Sequence, residues 1–249
     1  MEELDYNHVI EVLVNWLREK IAGAGGRGAV VGLSGGIDSA VTALLCREAC
    51  NNDVLGVILP CYSSTEDEKD ARRLAEKAGI EVIVHDLAPV YDDLLVLLQK
   101  KRMKNQLAAA NIKPRLRMIV LYYYAAVNDY LVVGTDNWSE LKTGYFTKHG
   151  DGGVDLAPLG RLVKTEVREL ARQLGVPEEI IEKKPSAGLW EGQTDEEELG
   201  ISYRELDRYI LTGEASSRVK KRVEALSRRN NHKLEPPPVP DREMLVNRE

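Results

Sequence analysis

Phenylalanine occurs once in the 249 residues, cysteine three times, and methionine and histidine four times each. An odd number of cysteines at spacings that form no framework (Cys46, Cys50, Cys61) excludes a disulfide-stapled scaffold and points to a reducing compartment. Cys46 and Cys50, four residues apart in a helix-like stretch, read as small buried hydrophobes rather than metal ligands. Positive charge is also scarce: 34 Lys and Arg face 40 Asp and Glu, for a net charge of −6. That balance excludes a general polyanion-binding surface, and no nucleic-acid partner is expected. The densest basic stretches, Arg218–Arg222 and Arg228–Arg229, read as the solvated face of a helix. Long hydrophobic runs are missing too. The longest wholly apolar one, Met118–Val127, is well short of the roughly 18 residues that would suggest a membrane span. The opening Met-Glu-Glu lacks the basic and apolar regions of a secretory signal, so a cytoplasmic protein without membrane contact is expected.

The hydrophobic content, 43%, is ample for one large α/β core. Val9, Val12, Leu13, Trp16 and Leu17 recur at helical spacing, so residues 4–22 read as an amphipathic helix. Four short apolar, β-branched segments follow: Ala29–Leu33, Val54–Leu59, Glu81–His85 and Tyr130–Gly134. Helix-like stretches around 39–50, 66–79 and 88–129 separate them, and a fifth strand is expected near Val154–Ala157. Strands alternating with helices give βαβ units. The expectation is therefore an α/β fold: a doubly wound parallel sheet of about five strands with helices on both faces. Beyond it the chain turns helical, at Lys164–Leu174, 202–212 and 216–230. Residues 183–199, with Pro185, Gly188, Gly192 and four acidic residues at 195–198, read as a mobile loop. No repeat and no long linker divides the chain, so residues 1–249 are expected to form a single domain.

The decisive feature is Gly32-Leu33-Ser34-Gly35-Gly36-Ile37-Asp38-Ser39, where the first strand ends and a helix begins. Small residues let the backbone approach a phosphate, and the helix N-terminus directs free N–H groups at the anion. The loop lacks the Gly-Lys-Ser/Thr ending that reaches a transferred γ-phosphate. A plain glycine-rich βα turn would need neither two serines nor an aspartate. The motif resembles the S-G-G-x-D-S loop of the ATP pyrophosphatase superfamily, whose members transfer AMP to an oxygen and release pyrophosphate. The loop alone leaves the acceptor open.

A second block narrows it. Gly134-Thr135-Asp136-Asn137-Trp138-Ser139-Glu140 follows the fourth strand, and Gly144-Tyr145-Phe146-Thr147-Lys148-His149-Gly150-Asp151-Gly152-Gly153-Val154-Asp155 comes soon after. In a doubly wound sheet the first and fourth strands flank the switch point where ligands bind, so Asp38 and Glu140 are expected to converge on one cleft. Two hard carboxylates beside a triphosphate suit magnesium. This block, with Pro158-Leu159-Gly160, Lys164 and Glu198-Leu199-Gly200-Ile201-Ser202-Tyr203, is similar to the ammonia-dependent NAD synthetases over residues 30–233.

That resemblance implies ATP as co-substrate, held by Gly32 to Ser39, Thr135, Lys164 and Ser186, and magnesium on Asp38 and Glu140. It also implies deamido-NAD held by Arg115, Lys148, Asp155, His232 and Lys233, with Arg117 the alternative to Arg115. Asp38, Glu140, Lys164 and Asp155 are the candidate catalytic residues, Asp155 as acceptor of the proton from ammonium. Free ammonia is the expected nitrogen donor, since none of the three cysteines sits in a recognisable amidase motif. A homodimer is implied, with the apolar 116–127 stretch as a candidate interface. Many bacterial members carry an arginine near the end of the second strand that helps hold adenine; here the stretch reads Val57-Ile58-Leu59-Pro60. A tRNA-modifying enzyme with the same loop would call for a basic surface and usually a cysteine pair. A binding-only module would leave Glu140, Lys148 and Asp155 unexplained.

Overall fold

The β-branched segments that bracket the phosphate loop pair as a parallel sheet in the order β3-β2-β1-β4. The computed structural model describes residues 4–98, 105–186, 188–190 and 192–245. The chain opens with α1 (Tyr6–Gly23), capped by the Asp5 carboxylate. Strand β1 (Gly28–Gly32), α2 (Ile37–Ala49), β2 (Val54–Ile58), α3 (Thr65–Ala78) and β3 (Glu81–Val84) follow in strict alternation. The long return then runs through α4 (Ala88–Leu98), α5 (Gln106–Ala110) and α6 (Ile112–Asn128) to β4 (Tyr130–Val132). Register aligns Val30 with Leu55 on one side and with Val132 on the other.

The strand period of two sorts β1 onto two cores. Ala29 and Val31 face Leu17 and Ile21 of α1, Val41 and Leu45 of α2, and Leu74 of α3. Val30 faces the opposite way, into Leu55, Val57, Tyr91, Ala125 and Val132, under α4 and α6. Both faces are therefore covered, and β1 and β2 are buried along most of their length, as parallel strands require. The helical continuation comprises α7 (Trp138–Thr143), α8 (Lys164–Gln173), α9 (Glu178–Ile181), α10 (Asp195–Leu199), α11 (Tyr203–Thr212) and α12 (Ser217–Asn230). Of these, α8 joins the α1–α2 side through Val167 and Leu170. Helices α10 to α12 pack their own small core of Leu199, Tyr203, Leu206, Val219 and Val223.

Among the described residues the sheet has four strands, not five. The stretch Val154–Ala157 makes a single parallel bridge, Val133 with Leu156, and goes no further. The reason is local: the Asp155 carboxylate takes the Val132 N–H at 2.8 Å, a donor that a ladder carbonyl would otherwise accept. Gly152, Gly153 and Pro158 flank the stretch and keep it short. The end of the 183–199 segment is also more ordered than a loop, forming α10.

Candidate active site

The loop leaving β1 is braced by its own serines. The Ser39 hydroxyl donates to the Gly36 carbonyl at 2.9 Å and accepts from the Ser34 N–H at 3.3 Å. Gly35 sits at φ +77°, and a Cβ there would lie 2.2 Å from the Asp67 carbonyl oxygen. Only glycine lets the loop press against the start of α3 in that conformation. Gly36 caps α2 without a side-chain bond, so no side chain occupies the helix's leading N–H groups, which point where an anion can bind.

Asp38 stands in the first turn of α2, with one oxygen accepting from Asn137 Nδ2 at 2.9 Å. Asn137 is fully buried and N-caps α7, and Glu140 answers it in a capping box: the Glu140 N–H donates to Asn137 Oδ1 and the Asn137 N–H to Glu140 Oε2, both 3.1 Å. Lys164, the first residue of α8, joins the two carboxylates. Its ammonium donates to Asp38 Oδ2 and, at 3.2 Å, to Glu140 Oε1, with its side chain only 3% exposed. Burial by itself would lower the Lys164 pKa, but Asp38 and Glu140 outweigh it and hold the ammonium above its ordinary value. Burial raises Glu140 to about 7; Lys164 opposes the shift and Asp38 adds to it. Asp136 is raised well above the usual carboxylate range, first by burial and then by Asp151, Glu140 and Asp38.

A second layer fixes these groups. Ser139 donates to Asp207 at 2.6 Å and accepts from the Lys164 N–H at 3.1 Å, while the other Asp207 oxygen accepts from the Thr165 N–H at 2.8 Å. The Tyr203 ring lies 5.3 Å from the Lys164 ammonium, and its hydroxyl donates to Asp195 at 3.0 Å and approaches Glu140 at 3.5 Å. Sequence reasoning gave no role to Asn137, Asp195, Tyr203 or Asp207. The Asn-x-x-Glu spacing at 137–140 could have marked Asn137 as a helix cap, but the Asn137–Asp38 and Asp207–Ser139 bonds join side chains 99 and 68 positions apart, and no local pattern announces them.

The remaining candidates divide. Lys148 donates to the His232 carbonyl and, at 3.2 Å, to the Glu235 carbonyl, while Lys233 donates to the Gly144 and Phe146 carbonyls, both 2.7 Å. Arg115 donates to the Lys148 carbonyl at 3.3 Å. These contacts gather Arg115, Lys148, His232 and Lys233 where the chain end folds over the 144–153 loop. Among the described residues none of the three cations has an ion pair, so their positive charge is left for a ligand. Asp155 lies outside both groups, with one oxygen on the Val132 N–H and the other accepting from Tyr122 at 3.0 Å. Thr135 is half-buried just beyond β4; Ser186 is exposed, its hydroxyl accepting from the Gly188 N–H at 3.1 Å. Arg117 parts from Arg115: it donates to the Leu59 carbonyl at 3.0 Å and to Ser63 at 3.3 Å. An arginine thus does reach the end of β2, from α6 rather than from the strand itself.

Among the described residues no three His, Cys, Asp or Glu side chains form a metal cage. Asp38 and Glu140 share one cation, Lys164, and two carboxylates suffice for magnesium when phosphates complete its shell, so the donor set fits that ion.

A parallel sheet whose switch point carries a phosphate loop, two carboxylates and a buried lysine defines a nucleotide-binding enzyme of the adenylating kind. The model of the NAD synthase family matches residues 9–237, and the chain belongs to that family. The NH(3)-dependent NAD(+) synthetase of Carboxydothermus hydrogenoformans is 52% identical over 239 residues, 95% of this chain and 98% of the relative. Among solved structures, an NMN synthetase from Francisella tularensis aligns with a TM-score of 0.92 at 38% identity, covering 96% of this chain and all of that one. An NH3-dependent NAD synthetase from Campylobacter jejuni aligns with a TM-score of 0.79 at 28% identity, covering 96% of this chain and 100% of that one. No helix among the described residues is long and apolar enough to cross a membrane.

Proposed function

We infer that the chain, as one domain over residues 1–249, is a C–N-forming ligase that converts deamido-NAD and ammonia to NAD, with ATP cleaved to AMP and pyrophosphate. The observation that carries this reading is the Asp38–Lys164–Glu140 cluster beside the uncapped start of α2, within a chain that matches the NAD synthase family over most of its length. The loop residues Gly32, Leu33, Ser34, Gly35, Gly36, Ile37, Asp38 and Ser39 hold the ATP phosphates, with Thr135 and Ser186 as further ATP contacts. Lys164 neutralises charge that builds as the nicotinate carboxylate attacks the α-phosphorus and pyrophosphate leaves. Magnesium, held by Asp38 and Glu140, would screen the phosphate oxygens. The unpaired cations Arg115, Lys148 and Lys233, with His232, bind the pyrophosphate and carboxylate of the dinucleotide. Asp155 is assigned to this substrate by its place in the 144–155 motif; with its oxygens engaged by Val132 and Tyr122 it stands apart from the cluster, which speaks against proton abstraction there. Ammonia then attacks the acyl-adenylate carbonyl and AMP departs. The enzyme works as a homodimer in the cytoplasm.

The test is to mix protein, ATP, magnesium, deamido-NAD and ammonium and to assay NAD, AMP and pyrophosphate. ADP and phosphate as products would refute the adenylation step. With contaminating ammonia scrubbed, glutamine in place of ammonium should support no NAD formation. A second reading takes nicotinic acid mononucleotide as acceptor, and the likeness to the NMN synthetase favours it. Both substrates carry the nicotinate carboxylate and a phosphate, so kcat/KM for the two, measured side by side, decides between them.

A further inference from the structure

Three carboxylates, Asp38, Glu140 and Asp195, surround the one ammonium of Lys164, and Lys164 bonds only the first two. Asp195 is 4% exposed. Its Oδ2 accepts from Tyr203, and its Oδ1 has no hydrogen-bond partner among the described residues. A buried carboxylate oxygen without a close donor is costly; the nearby Lys164 ammonium and the Tyr145 hydroxyl offset the burial only in part, since neither makes a hydrogen bond of ordinary length to Asp195. The surroundings are shaped for a small donor. The Tyr203 hydroxyl gives its proton to Asp195, and the Tyr145 hydroxyl, the other tyrosine beside Asp195, gives its proton to Glu198. Each hydroxyl oxygen keeps lone pairs that can accept an incoming N–H, and the Tyr203 ring already stands 5.3 Å from one ammonium.

We propose that Asp195 holds the ammonium ion that supplies the nitrogen and takes the proton it must lose before its lone pair attacks the acyl-adenylate carbonyl, with Tyr203 and Tyr145 completing the pocket. This rests on the amide-forming reading above. A tetrahedral ion with four N–H donors satisfies the free Asp195 oxygen and the hydroxyl oxygens together. Magnesium fits this corner less well, because it takes hard oxygens in octahedral array and has Asp38, Glu140 and the phosphates for that purpose. Asp195 begins α10 at the end of the 183–199 segment, and its N–H donates to the Pro185 carbonyl at 3.2 Å.

The test separates binding of the nitrogen donor from adenylation. Asp195→Asn keeps the shape of the side chain and removes its charge. We expect the KM for ammonium to rise about tenfold or more, KM values for ATP and deamido-NAD to stay within about twofold, and ATP–pyrophosphate exchange, run with deamido-NAD and no ammonium, to persist. Unchanged ammonium KM overturns the proposal. Loss of exchange also overturns it, since Asp195 would then serve ATP or its metal. Should Asp195→Asn fail to fold, Tyr203→Phe decides: it is expected to raise the ammonium KM about threefold with exchange retained, and an unchanged value counts against the site. Wild-type protein that forms no amide from ammonium indicts the functional reading instead, so the two failures are distinguishable.

Discussion

Asp38 is held at both oxygens, by Asn137 and by Lys164, so its carboxylate is aimed before any ligand arrives. Asp38→Ala should lower pyrophosphate release by about a hundredfold or more, because the carboxylate that positions Lys164, and would hold magnesium, beside the leaving pyrophosphate is lost. The far-ultraviolet circular dichroism should stay native, since the Leu17–Val31–Leu45 core is untouched. Normal turnover in this variant would end its assignment to the phosphate site. Asp207 acts differently. It is 2% exposed and ties α11 to both Ser139 and the start of α8. Asp207→Ala leaves two donors unanswered in a buried place, a loss of about 2–3 kcal/mol or roughly 4–12 °C in Tm for a chain of this size. Calorimetry checks it. The same variant should lower kcat, since the Lys164 N–H is oriented through Ser139.

Among the elements, the 183–199 segment carries few large apolar residues and is tied down at its ends by polar contacts. Lys183 pairs with Asp67 and Asp70 at 2.6 and 2.7 Å at one end, and Asp195 meets Tyr203 at the other. In between, Lys113 of α6, 5% exposed, donates to the Leu189 carbonyl at 2.8 Å, with the rings of Tyr62 and Tyr91 about 5.5 Å from its ammonium. Burial pushes the Lys113 pKa down, a cost offset by the carbonyl and the ring faces. We expect this segment to act as a lid that opens by releasing such contacts. Lys113→Met, which keeps the length of the side chain, should open it about tenfold more often, read as faster amide exchange over 183–199 in the free protein. ATP with deamido-NAD should slow exchange there in the wild type. Equal protection with and without ligands would count against a lid.

For the whole molecule, α6 leaves a stripe uncovered. Ile119, Tyr123 and Val127 recur every four residues and are 59%, 62% and 62% exposed, while Leu116 and Val120 turn inward. Three large apolar residues in a row on one helix face are unusual for an exposed surface, and a second copy of the chain would cover them. Wild-type protein should sediment as a dimer at micromolar concentration. Ile119→Asp with Tyr123→Asp should sediment as a monomer with native circular dichroism and reduced turnover. A wild-type monomer at tens of micromolar would refute the assembly.

The alternation of strand and helix was legible because it rests on local rules: β-branched runs for strands, helical spacing of apolar residues, and Gly or Asn at the turns. Each of the first four expected strands forms within a residue or two of its expected span. The glycine-rich turn was equally readable, since a turn of small residues opening a helix is a contiguous property of eight residues. The fifth strand failed because a side chain, Asp155, captured the backbone donor that would have extended the ladder, a competition that propensity does not see. Long-range pairing was out of reach as well. Lys164 meets Asp38 across 126 positions, Asp207 meets Ser139 across 68, and Arg117 arrives at the end of β2 from a helix 58 positions on. Which side chain finds which partner depends on how the helices pack after the sheet has formed, and on the energy of leaving a buried charge unpaired. The sequence by itself determined the fold class and the glycine-rich turn that opens α2; only the tertiary structure decided which cations and carboxylates stand together, because burial and distance are properties of the packed chain.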